Sequence, residues 1–167
     1  MGILGAAVED GKTLFDNAQK KARFAHRPGL WSMADDTGIF IEALDGEPGV
    51  ITARWLSAQA KTRETTEYCL HRMRNHTNRR AVFRTVVVLV HPDGKERCFA
   101  GHMHGTLLTA PRVEPQPKMP FSPLFVPHGY TQSWAEMSVE DENKISHRGQ
   151  AFRAVREYLE AYLERES

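Results

Sequence analysis

Apolar positions recur along this chain at two spacings, one helical and one of two residues. Leu14, Ala18, Ala22 and Ala25 form a narrow helical stripe. Thr13 stands just before it with Asp16 three residues on, a near capping box with Asp in place of Glu. Arg-Pro-Gly-Leu at 27–30 ends that helix, because proline cannot continue it. "LWSMA" and "GIFIEAL" read as two short strands, with adjacent aspartates at the tip of the first and "DGEPG" at 45–49 as turn chemistry after the second. A helix is predicted from about Ala60 to Asn75, with Tyr68, Leu70 and Met73 as core contacts. "RAVFRTVVVLVHPDGKERCFAGHMHGTLL" predicts a long antiparallel hairpin turning at "HPDG". Five prolines in "TAPRVEPQPKMPFSP" predict an irregular loop. A short helix opens at Ser138, capped with Asp141, and a last one near Ser146 carries Phe152, Val155, Leu159, Tyr162 and Leu163 at helical spacing. Helices alternating with strands predict an α/β domain, a mixed sheet with flanking helices, spanning 1–167 as one domain.

Bulk properties narrow the function. A length of 167 residues with 41% hydrophobic and 26% charged side chains fits one globular domain. The formal net charge of +1 gives no bulk attraction to nucleic acid or membrane. Two distant cysteines make no metal or disulfide pattern. "TVVVLV" is far short of the ~20 apolar residues of a membrane span. "MGILGAAVEDGKT" has neither a basic start nor a long apolar run, so no signal peptide is read there and a cytoplasmic protein is expected.

Three stretches invite a chemical reading. In "ADDTG", Asp35 and Asp36 on a strand point to opposite faces. Either a bend turns both toward a hard cation such as Mg²⁺, or they cap a turn. In "TLFDNAQKKAR", Asn17 and Lys21 share a helix face and suit a phosphate, or simply meet solvent. In "ISHRG", His147 and Arg148 stand in a first helical turn against the dipole, either for an anionic or carbonyl-rich ligand or as a surface pair.

Together these stretches resemble one family, the Ham1-type inosine triphosphate pyrophosphatases. The family's "ADDSG" is "ADDTG" here, and its "GxPGxxSARY" is "GEPGVITARW". "TLFDNAQKKA", "SPLFVPHGYTQSWAEM" and "ISHRGQAFRAV" match three further motifs in the family's order. The resemblance implies a mixed sheet with helices in two lobes around a cleft, and a homodimer. It implies Mg²⁺-dependent cleavage of non-canonical purine nucleoside triphosphates (ITP, dITP, XTP) to the monophosphate and pyrophosphate. Carried over, Asp36 matches the base and metal ligand, Asp35 its metal-site neighbour, and Glu9 lies near another metal-binding Glu. Thr37 matches a substrate-contacting Ser and Lys21 a phosphate-binding Lys, with Asn17 on the same helix face. His147 and Arg148 match the pair that reads the purine.

The chain also departs from the pattern. The family's first strand and helix, with a phosphate-gripping T/S-x-N-x-x-K loop, have no counterpart, so an N-terminally short member is expected. The family's "GFGYDPxF" is "KMPFSPLF" here. Met119 takes the place of the base-stacking Phe, and Phe121 is the ring offered in its stead. Glu142 stands where the family has a substrate-binding Lys. These changes make a catalytically impaired or non-enzymatic family remnant, one that binds nucleotide or only dimerises, the alternative expectation.

Overall fold

The structure, a computed structural model, describes residues 7–166. Its helices begin where the side chains satisfy the exposed backbone amides. In α1 (Leu14–Ala25), Thr13 Oγ1 accepts from the Asp16 amide, and Asp16 accepts from the Thr13 amide in return. Such a cap contributes about 1 kcal/mol. In α2 (Thr62–Met73), Glu64 accepts from the Lys61 amide at 2.8 Å. Ser138 caps α3 (Val139–Ile145), and α4 spans His147–Glu166.

The strands β1 (Ser32–Ile41), β2 (Arg80–Val90), β3 (Glu96–Leu107) and β4 (Phe125–Pro127) form one four-stranded sheet in that order. Its strands are antiparallel, so the expected mixed sheet is not found among the described residues. The β2–β3 hairpin turns as predicted, with the His91 amide donating to the Lys95 carbonyl at 2.8 Å and Gly94 at φ +87°. The proline-rich segment is irregular, as expected. Short β4 was not foreseen; Gly105 pairs with Pro127 and Leu107 with Phe125.

The main correction lies in β1. Two short strands were expected, the first tipped by the aspartates, yet one strand runs through both. Each carboxylate meets a cation, Asp36 that of Lys21 and Asp35 that of Arg148. With their repulsion offset, the pair need not break the strand.

The chain divides into two compact units. The first joins the segment up to Thr37, Arg84–His102 and the segment from His147 onward. Strand periodicity builds it in three layers. Even positions Ala34, Val86, Val88 and Val90 pack on Ala18 and Ala22 of α1. Odd positions Val87 and Leu89 pack on Ala151 and Val155 of α4. The second unit, Gly38–Phe83 with Met103–Ser146, has its own core. There Phe83 stands edge-on to Phe121, Phe125 and Trp134, and Ile39, Ile41 and Met73 are fully buried. Burying each such side chain contributes roughly 1.5–3 kcal/mol. Among the described residues, no helix is long and apolar enough to cross a membrane.

Candidate active site

The candidate polar residues of the first unit fall on both faces of its sheet, and the phase of β1 assigns them. On the α1 face, Asp36 is 8% exposed and its two oxygens are separately engaged. Lys21 Nζ donates to Oδ1 at 2.7 Å, and Asn17 Nδ2 donates to Oδ2 at 3.2 Å. Asn17 is fully buried, and its Oδ1 accepts from the Gly11 amide at 2.8 Å. Both ends of that amide are therefore committed, which fixes the orientation it imposes on Asp36. Helical spacing of four places Asn17 and Lys21 side by side, as the sequence suggested.

Glu9 reaches the same ammonium at 3.4 Å. Burial, with a smaller push from Glu9, raises the Asp36 carboxyl above its ordinary range despite Lys21 and Asn17. A buried carboxylate poised to take a proton is what a general base requires.

Two of the three predicted metal residues thus converge. The Glu9 and Asp36 carboxylates meet on one positive charge, and hard oxygen donors in that arrangement fit a divalent cation such as Mg²⁺. Asp35 is not with them; its Oδ1 accepts from Arg148 Nη2 at 3.1 Å on the α4 face. Among the described residues no three His, Cys, Asp or Glu side chains gather to hold a metal. Glu9 and Asp36 thus share one cation, while Asp35 faces the other way, as adjacent strand residues do.

The α4 face carries the other polar set. Thr37 Oγ1 and Thr85 Oγ1 lie 2.7 Å apart, and Thr85 Oγ1 lies 2.6 Å from His147 Nδ1. His147 is 3% exposed, and burial, helped by the charges of Arg148 and His102, lowers its pKa to about 4. The imidazole is neutral at pH 7. Arg148 stands 5.6 Å over the Phe152 ring as well as on Asp35, which accounts for a cation in the first turn of α4. Gln150 clips that turn to β3, its side chain accepting from the His102 amide at 3.2 Å and donating to the His102 carbonyl at 2.9 Å.

Met119 and Phe121 belong to the second unit. Phe121 is 2% exposed, among Trp55, Phe83 and Leu124. A base-stacking role would require it to leave that packing, so here it is a core ring. Met119 is half-buried against the same cluster. Thr85 was missed by sequence reasoning. It sits inside an apolar run, and nothing but its odd register marks it as facing His147.

Comparison with known proteins bears on the family and the fold. The Ham1 family profile matches residues 3–158. A dITP/XTP pyrophosphatase of Deinococcus deserti is 45% identical over 93% of this chain and 74% of its own length. One of Deinococcus radiodurans is 42% identical over 93% of this chain and 76% of its own. The structure of the Staphylococcus aureus Ham1 protein superposes with a TM-score of 0.87 at 29% identity, covering 95% of this chain and 82% of that one. The chain belongs to the Ham1 family.

Proposed function

We propose that this chain is a nucleoside-triphosphate pyrophosphohydrolase that cleaves dITP, ITP and XTP to the monophosphate and pyrophosphate. The carrying observation is the buried Asp36 carboxylate, pushed toward protonation and held between Lys21 and Asn17. The relatives' shared name, dITP/XTP pyrophosphatase, supports the same reaction.

Asp36 takes the proton of the attacking water while the α–β phosphoanhydride bond breaks. Hydroxide adds to the α-phosphorus, and pyrophosphate departs with the bridging oxygen. Asp36 and Glu9 are the residues that would hold Mg²⁺, which when bound neutralises the triphosphate charge. Lys21 gives a compact positive charge to the phosphates. Thr37 contacts the substrate through its hydroxyl. Arg148 donates to a 6-oxo acceptor, which the 6-amino group of adenine does not offer, and His147 joins it once the nucleotide uncovers its buried Nε2. A cytoplasmic homodimer belongs to the same reading.

Pyrophosphate release from ITP, XTP, dITP and ATP, with and without Mg²⁺, tests it. Mg²⁺-dependent release favouring the 6-oxo purines is expected. A folded chain that releases none would leave the second reading, a nucleotide binder without turnover.

Arg148 and Asp35 give a sharper check. Arg148→Ala is expected to raise the KM for ITP about 10- to 100-fold with little change in kcat. Asp35→Asn should reproduce part of that rise, because Asp35 holds the guanidinium. This pair is mostly exposed on the Arg148 side and worth at most about 1 kcal/mol of stability. A kcat collapse in Asp35→Asn would return Asp35 to the reacting centre.

A further inference from the structure

The Thr37–Thr85–His147 chain holds a choice that no single residue makes. The Thr85 hydroxyl has one proton and two polar neighbours, Thr37 Oγ1 at 2.7 Å and His147 Nδ1 at 2.6 Å. It donates to one and accepts from the other. If it donates to Nδ1, the neutral imidazole carries its proton on Nε2, and Thr37 donates to Thr85. If it donates to Thr37, Nδ1 carries the proton and Nε2 is an acceptor. The first arrangement makes His147 a donor at Nε2, and the second makes it an acceptor there. These are opposite preferences for the 6-position of a purine, oxo in one case and amino in the other. Thr85 is fully buried, so solvent does not compete for its hydroxyl.

We propose that Thr85 is a positioning residue that donates to His147 Nδ1, locks the Nε2–H tautomer, and thereby sets the preference for 6-oxo over 6-amino purines. This inference rests on the base-reading role given to His147 above. Its geometry lies wholly within the first unit. Burial keeps the ring neutral, so the tautomer, not the charge, is the variable.

Two readouts on the same samples test it. Long-range ¹H–¹⁵N correlation of the His147 ring in the wild-type chain is expected to show Nε2 protonated and Nδ1 bare. Thr85→Val keeps the shape and removes the hydroxyl. It is expected to change that pattern and to cut the ITP-over-ATP ratio of kcat/KM by about tenfold. Thr85→Ser keeps the hydroxyl and is expected to preserve both. Nδ1 protonation in the wild type would overturn the proposal, as would a Thr85→Val chain, folded by circular dichroism, with unchanged tautomer and ratio. If the wild type fails to turn over ITP, the functional reading falls. The ring spectrum then still decides whether Thr85 sets the tautomer.

Discussion

Replacing Asp36 by Asn is expected to reduce kcat for ITP about 10³-fold or more while leaving the protein folded. Asn keeps the shape of the side chain but cannot take a proton from water, and it is a poorer donor to a divalent cation. Stability should be unchanged or slightly higher. Burial raises the Asp36 carboxyl in the folded chain, so the folded state holds that proton more tightly than the unfolded one. Ionising Asp36 therefore costs stability as pH rises from the ordinary carboxylate range through the raised value. At neutral pH the wild type bears that cost in full, and the Asn variant does not bear it. Loss of the bond to Lys21 works the other way, though the ammonium retains Glu9. The pH profile adds an independent sign. Wild-type activity should fall on the acid side as Asp36 takes up its proton, and the residual activity of Asp36→Asn should lack that limb. Turnover within tenfold of wild type, or an unchanged acid limb, would remove Asp36 from the base role.

How much of this was legible in the sequence can be argued residue by residue. The α1 cap was legible because Thr13 and Asp16 interact locally. The hairpin was legible because its turn and its β-branched arm are contiguous. Asn17 and Lys21 could be placed together because helical spacing is fixed. The continuity of β1 was not legible, because it depends on cations from helices 15 and 113 positions away along the chain. The partner of Asp35 was not legible either, since Arg148 reaches it only across 113 positions. Thr85 lies 62 positions from His147, and no local pattern joins them. The motif resemblance identified His147 and Arg148 as residues to watch. It did not say that burial would keep one neutral or that Asp35 and Phe152 would hold the other.

The other large effect is expected from a residue with no side chain. Gly101 stands on β3 where the first turn of α4 comes down on the strand. A Cβ there would overlap the His147 carbonyl oxygen and come within 2.9 Å of Gln150 Cβ. The first of these is backbone, which cannot swing aside as the tip of a flexible side chain can. The Gln150 clip to His102 ties that same turn to the strand, so relief must come from straining the clip and lifting the helix start. Gly101→Ala should therefore cost about 3 kcal/mol, the upper end for overpacking, and lower Tm by roughly 6–12 °C. The lifted turn carries both His147 and Arg148. A displacement of about 1 Å at a substrate-positioning group can cost on the order of 100-fold in rate, so kcat/KM for ITP should fall beyond what the stability loss explains at 20 °C. The thiol Cys98, three positions earlier on β3, offers a control in the same strand: it is exposed, so Cys98→Ser should change neither quantity. A Gly101→Ala protein with wild-type Tm and kinetics would mean that β3 and the first turn of α4 have room between them. The close approach, and the fixed placement of His147 derived from it, would then be wrong.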